Sequence, residues 1–142
     1  MQIMSEERKH KHLELIQGVI NRLSTNSFLL KGWSVVLVSA LFALSAADSR
    51  PAFVFLAYIP TIVFWGLDGF FLWQEQLYRR LYDHVRVLRD EDIDFSMNTT
   101  PFRSGNAPTW IKATLSKTLI PFHGVLILAI IVVMVLIITA QG

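Results

Sequence analysis

The chain has 142 residues, of which 53% are hydrophobic and 17% charged, with a formal net charge of +2. That length allows one small domain, and the balance is too apolar for a soluble domain of this size. The absence of cysteine excludes disulfides and thiolate metal sites.

Residues 5–25, "SEERKHKHLELIQGVINRLST", predict a helix. Leu13, Ile16, Ile20 and Leu23 recur at helical spacing with Val19 beside them, while Lys11, Glu14, Gln17 and Asn21 fall toward the other side. Such an amphipathic helix lies on a membrane or packs on other helices. Packing is favoured, because its apolar face lacks aromatics and the helix is not strongly basic.

Residues 27–47 are a first candidate span, with Lys31 near its start. The "ALSA" at 43–46 resembles a signal-peptidase site. The long charged segment before it and two further spans after it argue for a retained helix. In the following turn, "DSRP", Asp48 and Ser49 are cap residues and Pro51 starts the next helix.

Residues 52–73 are the second span and contain Asp68. No glycine or proline interrupts residues 70–90, so the helix is expected to run on through 74–90 as a cytoplasmic extension. Glu75 and Arg79 there have the favourable i, i+4 order. Residues 91–109 read as a loop, acidic at first and then rich in Asn, Thr, Pro and Gly. Its "DEDID" run lacks the glycine and terminal glutamate of a calcium loop. The "NTT" at 98–100 is a chance glycosylation match on a cytoplasmic segment. "TWIKATLSK" then re-enters as a helix.

Residues 119–140 form the clearest span, with no formal charge; a helix of about 22 residues extends about 33 Å, the thickness of a hydrocarbon core. The expected fold is therefore all-α: one membrane domain, three transmembrane helices, an amphipathic N-terminal helix and a cytoplasmic extension of the second span. Trp33, Trp73 and Trp110 are placed as interfacial anchors.

The basic residues give an orientation. Arg8, Lys9, Lys11, Arg22 and Lys31 precede or edge the first span, and Arg79, Arg80, Arg86, Arg89, Arg103, Lys112 and Lys117 lie between the second and third. Only Arg50 lies in the short turn. Basic loops stay inside, so the N-terminus and the middle loop are expected in the cytoplasm and the C-terminus in the periplasm. The basic surface faces anionic lipid, and no nucleic-acid motif is present.

Asp68 needs a partner, since a charged aspartate at mid-bilayer costs about 2.5–3.5 kcal/mol. Lys31 and Asp68 are equally distant in sequence from a turn centred between Ser49 and Arg50. An antiparallel hairpin would bring them to one depth as an ion pair, with a kink at Pro60 able to shift the register. Thr61, Asp68 and Glu75 recur every seven residues, with Arg79 near the same stripe, and Gly66 and Gly69 leave room for a neighbouring backbone. Lys31, Asp68, Glu75 and Arg79 form the expected intramembrane polar seam. It is either a polar path or a salt bridge that holds register. His10, His12, His84 and His123 do not pair at metal-ligand spacing. No catalytic, cofactor or metal constellation is found, and a non-enzyme is expected.

A pattern of Ile20-Asn21-Arg22, Asn26-Ser27, Lys31-Gly32-Trp33, Pro60, Phe64-Trp65, Asp68, Glu75, Arg79 and Tyr82 covers residues 12–85. It resembles a widespread set of small, largely uncharacterised bacterial membrane proteins. A membrane hairpin with a cytoplasmic helical extension is also similar, in architecture, to the two-helix effectors of nucleotide-signalled bacterial immunity. That likeness implies a homo-oligomer that permeabilises the inner membrane in antiphage defence. The chain departs from it in having a third span and no recognisable nucleotide-sensing domain, so a trigger would come from a cytoplasmic partner. The alternatives are a membrane anchor or accessory subunit that binds such a partner, and a small proton-coupled transporter in which Asp68 titrates.

Overall fold

The computed structural model describes the backbone of residues 2–48 and 50–141, and side chains within 6–48 and 50–140. The chain is 83% helix, with no strand among the described residues. Its elements are α1 (Gln2–Asp48), α2 (Ala52–Leu56), α3 (Tyr58–Val87), α4 (Trp110–Thr114) and α5 (Ile120–Gln141). Short 3-10 turns at Asp90–Asp92 and Thr100–Arg103 lie between α3 and α4. Three helical stretches are long and apolar enough to cross a membrane: Glu6–Asp48, Ala52–Val87 and Ile120–Ala140.

Two boundaries differ from expectation. The amphipathic segment and the first span are one helix of 47 residues. Nothing between Gly18 and Gly32 removes a backbone donor or frees the backbone, so no break forms at Asn26. The second span, by contrast, is broken at Ala57 between α2 and α3. Pro60 has no N–H to offer the Leu56 carbonyl four residues earlier, so the regular ladder cannot continue there. The Thr61 hydroxyl donates to the Ala57 carbonyl at 2.8 Å and secures the restart.

The expected cap at Ser49 lies outside the described residues. Pro51 occupies the N-cap position of α2 rather than its first turn and gives no side-chain cap. The turn is held instead by Ser45, whose hydroxyl donates to the Arg50 carbonyl at 2.9 Å.

α1 and α3 run antiparallel as a long hairpin, and two apolar clusters hold it. Near the turn, Val38, Val54, Ala57 and Ile130 are buried, which brings α5 onto the hairpin. At the far end Ile16, Ile20, Leu81, Val85 and Ile93 form a second core. The amphipathic face of α1 is therefore used inside the chain, against α3 and the segment after it.

That segment, 88–109, is an ordered strap. It leaves α3 where Lys9 donates to the Leu88 carbonyl at 2.7 Å, a cation satisfying a helix-terminal acceptor. Arg8 donates to the Ile93 carbonyl at 3.0 Å, and His12 Nε2 lies 3.0 Å from the Ser96 carbonyl. Phe95 turns the strap with a φ of 58°, in the left-handed region uncommon for non-glycine residues. The strap then runs back along α3, where Arg80 donates to the Asn106 carbonyl at 2.6 Å and Trp73 to that of Pro108 at 2.9 Å. The expected re-entrant helix shortens to α4, capped by Thr109, which accepts from the Lys112 amide at 3.3 Å.

Candidate functional site

Asp68 is fully buried on α3, and three elements converge on it. From α1, Lys31 Nζ lies 2.6 Å from Asp68 Oδ2, and the Ser27 hydroxyl donates to Asp68 Oδ1. From α5, His123 Nε2 lies 2.9 Å from Asp68 Oδ2. Lys31 also donates to the Ser27 hydroxyl oxygen at 2.9 Å, which closes a ring of hydrogen bonds.

The convergence follows from helix geometry. At 1.5 Å per residue, Lys31 lies about 26 Å from the hairpin end of α1, Asp68 about 24 Å from the start of α2, and His123 about 27 Å from the end of α5. Ser27 and Lys31 share a face of α1 because they are one turn apart. Both sit opposite Asp68.

Electrostatically the group is balanced. The ammonium and the carboxylate cancel, and the His123 ring donates from Nε2 to the carboxylate. Lys31 also lies over the Phe122 ring, 5.9 Å from its centroid, an orientation that favours a cation. Trp65 stacks on the His123 ring at 5.7 Å and 12°. Its own N–H donates to the Thr114 carbonyl at 2.8 Å, so the ring against which the imidazole lies is itself fastened to α4. One polar atom is left over: His123 Nδ1 is buried with no hydrogen-bond partner.

The four residues of the expected seam do not form one network. Lys31 and Asp68 pair across helices. Glu75 and Arg79 pair within α3, at 2.9 Å and 2.7 Å to a single Glu75 oxygen. Glu75 is buried while the Arg79 side chain is largely exposed. Thr61 turns its hydroxyl onto its own helix. Among the described residues no hydrogen bond joins the two ion pairs.

The tryptophans divide as well. Trp33 is exposed on α1. Trp110 donates to the Gly66 carbonyl at 2.8 Å, and Trp73 to Pro108, with the Arg103 guanidinium 5.3 Å from the Trp73 ring centroid. Two of the three expected anchors thus also fasten the strap and α4 to α3. The room at Gly69 is taken by α4 of the same chain: a β-carbon there would stand 2.8 Å and 2.9 Å from Thr114 Cβ and Cα.

Sequence reasoning did not single out Ser27 and His123 as partners of Asp68, nor Trp65 as the ring that stacks on His123. Trp65 lies one turn before Asp68, and Ser27 one turn before Lys31. Extending the depth count to the third span would have found His123. Among the described residues no cluster of three His, Asp or Glu side chains is arranged to hold a metal ion. No protein-family model, curated protein or solved structure matches the chain.

Proposed function

We propose that the chain is a homo-oligomeric effector of the bacterial inner membrane that opens or disrupts the bilayer in antiphage defence. Its N-terminus lies in the cytoplasm and its C-terminus in the periplasm. The ion cluster is closed on itself inside the protomer, so it leaves no polar route through one copy. Any conduction would run between copies.

The observation that carries this reading is the uncovered face of α1. Gly18, Asn21, Thr25, Gly32, Ser39, Ala43 and Ala47 fall on one exposed helical stripe, in which Leu29 and Val36 are the large side chains. Open space lies beside Gly18 and Gly32. Small residues on a membrane helix allow close backbone approach of another helix. The stripe therefore suits the same stripe of a neighbouring copy.

The test uses the absence of native cysteine. Ser39→Cys in intact membranes is expected to give a covalent dimer with a short bismaleimide. Val38→Cys, at a buried position, is expected to give none. Expression is expected to depolarise cells, as read by a potential-sensitive dye, and Gly32→Leu to abolish it. Failure of Ser39→Cys to cross-link would remove the homo-oligomer.

A membrane anchor for a cytoplasmic partner is the second reading. A cavity of about 340 Å³ between α3 and the strap favours it, with Leu81, Val85 and Phe102 inside and Asp92 and Asp94 at its rim. Cross-linking without depolarisation, together with a soluble protein released by Phe102→Glu, would select the anchor.

A further inference from the structure

A second cavity, of about 460 Å³, opens between α3, the end of the strap and α4. Its wall carries Gln76, Arg79, Arg80, Asn106 and Lys112, and no carboxylate lines it. Arg80 spends one nitrogen on the Asn106 carbonyl, and Arg79 directs Nε and one terminal nitrogen to Glu75. Each guanidinium keeps further N–H donors. Lys112 has no side-chain acceptor among the described residues.

The cavity's level identifies what would fill it. Gln76 to Arg80 lie about 36 to 42 Å along the helix from the hairpin end, where a bilayer of about 40–45 Å including both headgroup layers ends. Directly on the membrane side, α4 presents Ile111 and Leu115, exposed by 72% and 58%, beside Trp110 and Phe70. Cations above and an uncovered apolar track below match a headgroup and its acyl chains.

We infer that this cavity binds the phosphate-bearing headgroup of an anionic phospholipid, with Arg80, Lys112 and the free donors of Arg79 as its ligands. Basic recesses beside membrane helices on the cytoplasmic side recognise anionic headgroups in this way. The acyl chains lie along Ile111 and Leu115. The inference rests on the membrane placement and not on the effector activity, and its test reads neither growth nor membrane potential.

The purified full chain in detergent would be titrated with phosphatidylglycerol or phosphatidylcholine and the retained lipid read by native mass spectrometry. Phosphatidylglycerol is expected to bind about tenfold more tightly. Lys112→Gln and Arg80→Gln are each expected to reduce that preference severalfold. Arg80→Lys is expected to restore part of it. Arg22→Gln, an exposed cation on α1, is expected to leave the preference unchanged and so separates this cavity from general basic attraction.

Equal retention of the two lipids would overturn the inference. So would an equal loss of preference with Arg22→Gln. Displacement of the lipid by millimolar glycerol 3-phosphate or inorganic phosphate would also overturn it, because the acyl track would then contribute nothing. Circular dichroism checks that each variant is helical. Lys112→Gln carries the test if Arg80→Gln loosens the strap.

Discussion

A carboxylate among apolar helices needs donors for both of its oxygens. Asp68 takes them from Ser27, Lys31 and His123, and so ties α3 to both α1 and α5. Removing one member of a buried pair leaves the other uncompensated, at about 3–5 kcal/mol. Asp68→Asn should therefore lower stability by about 3 kcal/mol, read as a fall in the thermal midpoint in detergent. Lys31→Met with Asp68→Leu should lie closer to the unmodified protein than Asp68→Leu alone does, since both take the acceptor from Ser27 and His123 but only the single change leaves the ammonium uncompensated. Equal losses for the double and single variants would argue against a coupled pair. His123→Phe keeps the ring that Trp65 stacks on but drops the hydrogen bond. It should cost about 1.5–3 kcal/mol, the range for a bond to a charged group, and should expose the α4–α5 connection to protease.

Among the elements, α4 is the most dependent on its neighbours. Five residues cannot sustain a helix alone in water. It is held by Trp110 on Gly66, by Trp65 on Thr114 and by contact at Gly69. Gly69→Ala forces α4 away from α3, because backbone as well as side chain of Thr114 stands in the way; overpacking of this kind costs about 1–3 kcal/mol. The expected readout is a change in tryptophan emission with a lower thermal midpoint. An unchanged midpoint would mean that α4 shifts freely. At the far end, Leu81→Ala should cost about 2–5 kcal/mol and release the strap for cleavage within 88–109. The run of α3 beyond its span was legible because no glycine or proline interrupts residues 70–90, whereas the fusion of the amphipathic segment with the first span into α1 was not. The strap was not, because its anchors Arg8, Lys9 and His12 lie some eighty residues earlier in the chain. Their side chains bond to backbone carbonyls, which any residue presents. The break at Ala57 was half legible: Pro60 marks it, but the residue where the ladder fails depends on local packing.

Across the whole molecule, the described basic residues crowd toward one end of the hairpin and Arg50 stands at the other. Reporter fusions at the two chain ends are expected to report opposite sides of the membrane, N-terminus inside. Both ends on one side would undo the three-span threading and the depth matching that rests on it. Composition and periodicity alone carried the all-helical class, the three apolar rods and the depth at which Lys31 meets Asp68. Those properties are local, or follow from counting residues along rods of constant rise. Which side chains turn inward at that depth was set by packing. His123 joins Asp68, Glu75 keeps to Arg79, and α4 fills the room at Gly69, because contacts between distant segments fix the rotation of each helix about its own axis.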